Sequence, residues 1–569
     1  MAIHDIQGIA HLSPFLDSQV ESIKGVVTRV LDEGFFLQDP EPDSDERTSE
    51  AVFVRGLHLQ ARVGDEVVVS GVVRESRSDC DFAAPDCATL SATTIDVSAL
   101  SLLSSDNLLP ECVALGPDAR RIPERIADDT PSDVESAGWR FDPETHAVDF
   151  FESLEAMRVL LERPQVVGPS RDQRSFAIAE GDGRGRVTGE GGLLFDPSSN
   201  PQRVCLHLEN DAAEDIGQVF TDDVVGVLAQ DTGYCLWPEP LPELRSALAR
   251  RSMTKAAQGS SDELVVAALN AHNLTPDAPA LEFQRLARLI VSELARPDLL
   301  LLSEIGDDSA DLDDGTVSCQ RTLLTLDEAM QAEGGDDYAA LQIDPEDGRD
   351  GGKHGANIRQ VLLYRTTRIE PYAAAIGDAQ TPESLDPGPA LHLNPGRIEP
   401  ASKAFIGSRK PLAAQFTFGT QMMFVLGNHF VSKLGDDPAF GRFQPPRSPS
   451  AKQRTAQAEI VANFAAELLE ADPEALLIVL GDFNDRVEGP ALQPLQDVGL
   501  QSLYGLSPQS ERYSYVFEGN SEAIDHVMVP KAWVSRVGLF EVPHVHTPFA
   551  DAASDHDPVI ARIALEARN

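Results

Sequence analysis

The sequence predicts a multidomain chain in which a β-rich N-terminal half precedes a layered α/β domain. Three observations predict it. The 569 residues exceed what one ordinary hydrophobic core holds, and length alone suggests about three domains. Residues 1 to 240 carry short β-branched or aromatic runs punctuated by Asp, Glu and Gly. After residue 262, strand-length apolar runs alternate with stretches of helical period.

Residues 1–98 read as a small β barrel. Val26–Val30, Gly34–Gln38, Ala51–Val54 and Val67–Val73 are among its expected strands. Phe35, Phe36 and Phe53 suit either base stacking or core packing. Residues 99–147, rich in Pro, Asp and Ser, read as a linker. A second β-rich domain follows over 148–240, with runs at Ala156–Leu161, Gln165–Val167, Ser175–Ala179, Arg203–Leu208 and Val224–Leu228 and no catalytic constellation. Residues 241–262 read as a second linker, polar from Arg250 to Asp262. The remainder, 263–569, is the expected α/β domain. Phe283, Leu286, Leu289, Ile290 and Leu294 share one helical face, and Ala456, Ile460, Val461, Phe464 and Leu468 share another.

The formal charge is −46, from 46 basic and 92 acidic residues, which opposes long-range attraction of polyanions. Its distribution is uneven. Between Lys353 and Arg454 there are 13 Lys or Arg against 7 Asp or Glu, a local balance of +6 that suits either a solvated face or a phosphate-contacting surface. No apolar run reaches the roughly 18 residues of a membrane span, and Met1-Ala2-Ile3-His4 lacks the basic and apolar regions of a signal peptide. The chain is therefore expected either to stay inside the cell or to begin after a removed signal. Six scattered cysteines without a CxxC pair are too few for a zinc site; their even number suits disulfides in a secreted protein, with Cys80 and Cys87 close enough to bridge a loop, and equally suits six buried thiols in a cytosolic one.

The most informative stretch is Leu476–Arg486, LLIVLGDFNDR. A continuous apolar run suits a strand buried on both faces, and the period of two aims Asp482 and Asn484 the same way at its end. The construction recurs. Leu264–Leu269 ends in Asn270, Leu299–Leu302 in Ser303-Glu304, and Met422–Leu426 in Gly427-Asn428-His429. The run from Ile524 carries Asp525-His526, and Ser554-Asp555-His556-Asp557-Pro558 precedes Val559-Ile560. Strand ends in an open α/β sheet share one rim, so these residues are expected to form one acidic, histidine-containing cleft. The acidic segment Glu304–Gly315 lacks the spacing of a calcium loop and reads as solvated.

LNAHNL (269–274), SEIGD (303–307), GNHFVSK (427–433), GDFND (481–485), YSYVFEGNSEAIDH (513–526) and SDHDP (554–558) occur in one order. As a set they resemble the endonuclease/exonuclease/phosphatase superfamily, and within it the large bacterial extracellular nucleases. IHDIQG and GFFLQDP resemble the OB-fold-like domain preceding those nucleases, and FESLEAMRV (151–159) their intervening β region. The resemblance implies an OB-like barrel, a second β domain and a C-terminal four-layer α/β sandwich. It also implies an extracellular or cell-surface location. The chain departs at His272, where members often carry Asp or Asn, and at His544-Val545-His546, where the nuclease branch tends to His-x-Asn.

Phosphodiester hydrolysis needs a positioned water, a base, charge neutralisation and help for the leaving alkoxide. His556 is the best base, because imidazole titrates near neutrality, and the resemblance assigns Asp525 as its partner. Glu304, Asn270 and Asp555 would hold a hard divalent cation, Mg²⁺ ahead of Mn²⁺ or Ca²⁺. Asp482 would orient the nucleophile or bind a second ion. Asn484 would donate to a phosphoryl oxygen, and His429 would stabilise the transition state or protonate the leaving oxygen. Asn357 and Arg359 are candidate substrate-phosphate contacts, although an Arg tied into the fold accounts for the same pattern. His526 and Asp557 suit structural hydrogen bonds.

The expected function is a metal-dependent nuclease with nucleic acid as partner, DNA ahead of RNA, and no obligate protein partner. The alternatives are a phosphodiesterase of the same mechanism acting on a lipid head group or small phosphoester, and a binding protein whose β domains carry the function. The intact constellation argues against the last.

Overall fold

The computed structural model describes residues 1–565 apart from 58, 184–185, 199, 209–212, 232, 246–258 and 336. The chain forms two compact units. One comprises Met1–Ala249, Asp436–Ser448 and Glu518–Asn520; the other comprises Arg250–Gly435, Pro449–Phe517 and Ser521–Asn569.

The first unit opens with a closed five-stranded barrel. Its strands run in the order Gln19–Leu31, Gly34–Gln38, Ala51–Arg55, Ala92–Ser104, Glu66–Ser76. Bulges between Val20 and Ile23 and between Val27 and Arg29 bend the first strand so that it pairs with two partners and closes the barrel. Strand alternation divides the phenylalanines. Phe35 lies in the barrel core with Ile3, Ile6, Val27, Val54 and Val69, whereas Phe36 and Phe53 face outward to a second apolar cluster.

That second cluster belongs to a nine-stranded sheet built from strands between Val113 and Arg245. Two of its strands, Val204–His207 and Tyr234–Pro238, place Cys205 opposite Cys235, and the two are disulfide-bonded. Cys80 and Cys87 form the other disulfide.

The expected linker 99–147 is not one. The fifth barrel strand continues to Ser104, Val113–Leu115 pairs with Arg158–Leu161, and Ile122, Ile126 and Val134 are buried. Three-residue strands and isolated apolar anchors leave no periodicity to read. The expected linker 241–262 lies mostly outside the described residues, within the gap 246–258. Nor is the boundary at 263 clean, since Phe443–Gln444 pairs with Ser132–Asp133 and Arg442 binds Asp133. Such pairing between distant segments has no local signature.

A buried ionic network ties the N-terminal segment to the helix Ala147–Glu152. His11 lies 2.7 Å from Asp149 and 3.1 Å from Glu152, and the Tyr234 hydroxyl donates to Glu152 at 2.7 Å. Burial alone would lower the His11 pKa, but Glu152 and Asp149 outweigh it and raise it to about 9. A raised folded-state value stabilises fully below the unfolded value near 6.5 and is lost as pH rises through about 9, a contribution of about 3 kcal/mol at most. The melting temperature of the first unit should therefore fall between pH 6.5 and 9, and less so in His11→Gln, which starts lower. Calorimetry that finds melting flat over that range in the parent would contradict the network's charge.

The second unit contains a six-stranded sheet, in the order Tyr338–Leu341, Arg359–Arg365, Leu299–Ile305, Glu263–Leu274, Val559–Ala564, Val537–Glu541. A second sheet orders Ile369–Pro371, Leu412–Phe418, Gln421–His429, Leu476–Asp482, Asp525–Pro530, Leu500–Ser502. One core joins the sheets through Val266, Leu301 and Leu362 from the first and Phe416, Val425 and Ile478 from the second. On the far faces, Phe283, Leu286 and Met330 cover Leu300 and Leu302, and Val461, Phe464 and Leu468 cover Leu477 and Val479. Alternate residues of the Leu476–Asp482 strand thus enter different cores, which is why its run is apolar throughout.

Both predicted helical faces form. The first runs over Ala280–Arg288 and a π turn to Glu293. The second, Pro449–Ala471, also buries Gln457, whose amide accepts from Val431 N and donates to Ser408, both at 2.9 Å.

Candidate active site

The parallel strands ending at His429 and Asp482 are in register, placing those two residues opposite each other. The antiparallel strand beginning at Asp525 then sets Asp525 opposite Asp482. Three functional side chains therefore stand side by side on one rim. Close strand approach there requires glycine. Gly481 adopts φ +126°, and a Cβ on it would collide with the Asn428 carbonyl.

Asn270 and Glu304 come from the neighbouring parallel strands of the other sheet, where Asn270 lies opposite Ser303. Glu304 and Asn484 hold left-handed backbone conformations, φ 60° and 50°, which non-glycine residues keep only when their surroundings impose them. Asn270 Nδ2 bridges the sheets, donating to Glu304 Oε1 at 3.0 Å and to Asp482 Oδ2 at 3.2 Å. Asn273 N donates to the other Glu304 oxygen at 2.9 Å.

His556 Nδ1 lies 2.7 Å from Asp525 Oδ2, and its Nε2 lies 4.0 Å from Asp482 Oδ2. Asp525 accepts a second hydrogen bond from Ser514 Oγ at 2.7 Å. This fixes the imidazole's orientation with Nδ1 toward the carboxylate and Nε2 toward the cleft. His429 Nε2 stands 3.5 Å from Asp482 and 3.7 Å from Glu304. Asn484 donates its backbone N–H to Asp482 Oδ1 at 2.9 Å and one amide hydrogen to the Phe430 carbonyl at 3.1 Å, leaving a second amide hydrogen.

The electrostatics follow from burial and crowding. Burial and the Asp525 charge push Asp482 up to about 6. Burial disfavours charge on His556, but Asp525, Asp555 and Asp482 outweigh it and hold its pKa well above the usual imidazole range. Burial, Arg409 and His556 hold His429 well below that range, so it stays neutral. Asp482, Asp525 and His556 offer three ligand atoms within 4.8 Å of one another, an acidic cluster able to hold a metal ion.

The model of the endonuclease/exonuclease/phosphatase family matches residues 267–556, which contain every residue of this constellation. The chain belongs to the endonuclease/exonuclease/phosphatase family. Enzymes of this family act on phosphoester bonds. A second family model, a domain of unknown function (DUF8508), matches residues 114–246. No curated protein sequence matches the chain.

Among solved structures, the chain is similar to humanized D. rerio TDP2, at 16% identity over 53% of this chain and 99% of that one, TM-score 0.32. It is similar to the human Nocturnin catalytic domain with bound sulfate, at 15% identity over 54% and 96%, TM-score 0.34. An endonuclease/exonuclease/phosphatase family protein from Bacteroides thetaiotaomicron matches at 18% identity over 53% and 95%, TM-score 0.34.

Within this family domain, Asn270, Glu304, His429, Asp482, Asn484, Asp525 and His556 come together, and three expectations change. Asn270 presents its amide nitrogen to the carboxylates, while its oxygen accepts from His272 N at 3.0 Å, so it acts as a hydrogen-bond donor rather than an oxygen ligand. Asp555 turns to the exposed His272 ring, 2.9 Å away, which gives the departure at that position a partner. Asn357 and Arg359 are spent on the fold. Asn357 donates to Asp307, Thr316 and Asp347 and accepts from Gly348 N, while buried Arg359 binds Asp344 at 2.6 Å and the Asn357 carbonyl at 2.9 Å. Asp307 of the loop following Glu304 and the more distant Asp347 claim Asn357, and Asp344 claims the buried Arg359.

The neighbouring motif residues have structural partners. His526 points away from Asp525 by strand alternation and bonds the Asp485 carbonyl at 2.8 Å. Asp557 accepts from the backbone of Val545, His546 and Thr547 and pairs with His544, the second departure from the family pattern.

Sequence reasoning missed Arg409 and Ser514. Arg409 is buried behind the site, bonds the Phe430 carbonyl at 2.6 Å and supplies positive charge toward Glu304 and Asp482. It has no local signal, since nothing in SRKPLAA marks it. Ser514 lies inside the motif that ends in Asp525, and a buried serine eleven residues before that carboxylate was the available clue.

Proposed function

We propose that the chain is a divalent-cation-dependent nuclease hydrolysing phosphodiester bonds of nucleic acid, DNA in preference to RNA. The observation that carries the reading is the buried His556–Asp525 pair facing Asp482 at the junction of the two sheets. The donor set fits a hard cation: Glu304 and Asp482 offer carboxylate oxygens on one side, and Asp525 Oδ1 is buried without a protein partner. When bound, a divalent cation neutralises phosphoryl charge and lowers the pKa of water.

The chain's own residues divide the remaining work. Surrounded by carboxylates, His556 has its pKa raised, and it would act as base in its neutral form. Its Nε2 then takes the proton of the attacking water while Asp525 holds Nδ1–H. Neutral His429 donates from Nε2 to a phosphoryl oxygen, which favours its stabilising role over protonation of the leaving oxygen. The spare amide hydrogen of Asn484 acts beside it. Asn270 keeps Glu304 and Asp482 together, and Asp555 is held by His272. Lys433 and Arg486, both bound to Glu522 Oε2 at 2.6 and 2.8 Å, suit flanking phosphates.

We read the first barrel as OB-type from its strand order, with the nine-stranded sheet as the second β domain, and the two sheets and flanking helices of the other unit as a four-layer sandwich. The preference for DNA rests on the motif resemblance. The two disulfides support an oxidising, extracellular or cell-surface setting. Among the described residues, no helix is long and apolar enough to cross a membrane.

Assays on supercoiled plasmid, single-stranded RNA and choline-phospholipid vesicles, with Mg²⁺, Mn²⁺, Ca²⁺ or EDTA, test the reading. DNA should be cut faster than RNA, and EDTA should stop both. Head-group release without nucleic-acid cleavage would instead establish the lipid phosphodiesterase.

A further inference from the structure

Arg409 is buried, and among the described residues its guanidinium makes one hydrogen bond, from Nη2 to the Phe430 carbonyl at 2.6 Å. Its Nε is buried without a partner. A buried charge with no carboxylate in contact is costly, so its retention in a core position requires an explanation. Burial opposes the charge, and Glu304, Asp482 and Asp350 favour it from a distance. Asp350 is already paired with Arg397 at 3.0 Å and Lys410 at 2.5 Å. The charge of Arg409 is therefore left to the two cleft carboxylates.

Phe430 lies one residue past the strand Gln421–His429. Its N–H donates to the Asp482 carbonyl at 2.9 Å, while its own carbonyl accepts from two side chains, Arg409 and, at 3.1 Å, Asn484 Nδ2. A carbonyl oxygen has two lone pairs, and both are filled. Side chains fix the neighbouring backbone in the same way. Val431 N donates to Gln457 at 2.9 Å, and the Gln360 amide accepts from His429 N at 2.6 Å and donates to the Lys410 carbonyl at 3.0 Å.

We propose that Arg409 is a positioning residue of the hydrolytic site, acting through the Phe430 carbonyl on the Asn484 amide. Past the end of the strand, that carbonyl is aimed by its two donors. With the guanidinium on one lone pair, the other anchors one Asn484 amide hydrogen and directs the second toward the cleft. The same guanidinium sets positive charge behind Glu304 and Asp482 and so opposes their mutual repulsion. The inference rests on the hydrolytic reading of the site, though not on nucleic acid being the substrate.

Steady-state cleavage in Mg²⁺ of duplex DNA and of bis(p-nitrophenyl) phosphate, a diester with neither base nor lipid, tests the role on whichever the parent cleaves faster. Arg409→Met should lower kcat about 10- to 100-fold, the cost of losing a partner behind a site residue, with KM within about threefold. Arg409→Lys, which keeps a charge and an N–H donor, should recover part of that loss. The deciding readout is a double-mutant cycle with Asn484→Ala. If the guanidinium works through Asn484, either Arg409 substitution should change kcat by less than about twofold once the amide is gone. A merely structural role would instead lower the melting temperature and multiply the two losses. Circular dichroism establishes which variants fold, and should Arg409→Met not fold, the cycle with Arg409→Lys makes the same comparison from a smaller loss. Losses that multiply in a folded variant, or a folded Arg409→Met that cleaves at the parent rate, would overturn the proposal. A parent chain that cleaves neither substrate would overturn the hydrolytic reading and this inference with it, so the two failures are told apart.

Discussion

His556→Ala should lower the rate of phosphodiester cleavage by about 10² to 10⁴ while leaving DNA binding within about twofold, the cost of losing a general base. The division of labour underlies the split. Ground-state attraction comes from the cation-binding carboxylates, of which Asp525 is hydrogen-bonded to His556, and from half-buried cations such as Lys433 and Arg486. The imidazole acts only when the water loses its proton. Its geometry is set by Asp525 at 2.7 Å and, through Asp525, by Ser514. Asp525→Asn should therefore reproduce much of the loss, because the imidazole would no longer be held with Nε2 toward the cleft. Ser514→Ala, which removes one hydrogen bond to Asp525, should cost less. Single-turnover rates on a labelled duplex across pH 6 to 9, beside a filter-binding measurement, separate the two effects. A variant cutting at the parent rate across that range would remove His556 from the role of base and point to His429.

Glu304→Gln should act differently, raising the Mg²⁺ concentration needed for half-maximal rate. Changes in outer partners alone commonly cost 10- to 100-fold in metal affinity, and loss of a charged oxygen ligand should reach at least that order. Saturating Mg²⁺ should recover much of the rate, because His556 and Asp525 are untouched. The partner that holds Glu304 offers a graded control. Asn270→Ala removes the amide that donates one hydrogen to half-buried Glu304 and one to buried Asp482, so the two carboxylates lose a common donor and repel across the junction. It should shift the Mg²⁺ dependence in the same direction. A Glu304→Gln enzyme with unaltered Mg²⁺ dependence would place the cation elsewhere.

Most of the site was legible because buried strands leave little freedom. Once Leu476–Leu480 is read as a strand buried on both faces, the period of two decides which residue at its end faces the rim. The same logic placed Asn270, Glu304, His429 and Asp525, and it separates Asp525 from His526, which turns to Phe483 and Tyr504. Illegible features depended on partners distant in sequence. Arg359 looked available to a phosphate, yet Asp344 and the Asn357 carbonyl hold it. Asn270 was readable as a site residue, but which end of its amide faces Glu304 depends on His272 N, which occupies the oxygen. Arg409 acts through burial behind the Phe430 carbonyl, a position no neighbouring residue announces. At the scale of domains, apolar periodicity showed the strands and helices. It could not show that Phe443–Gln444 would join Ser132–Asp133, more than 300 residues earlier, within the first unit.

The central claim is that one carboxylate–histidine cluster, loaded with a divalent cation, cleaves phosphodiesters. The most direct measurement is the initial rate of duplex DNA cleavage by the intact chain and by Asp482→Ala, in Mg²⁺, after EDTA, and after Mg²⁺ is restored. Asp482 is the residue to remove because it stands opposite both His429 and Asp525 and lies 4.0 Å from His556 Nε2. The account predicts that EDTA brings the parent to background, that restored Mg²⁺ returns its activity, and that Asp482→Ala stays at background throughout. Parent activity unchanged by EDTA, or an Asp482→Ala chain that cuts DNA at the parent rate, would contradict it.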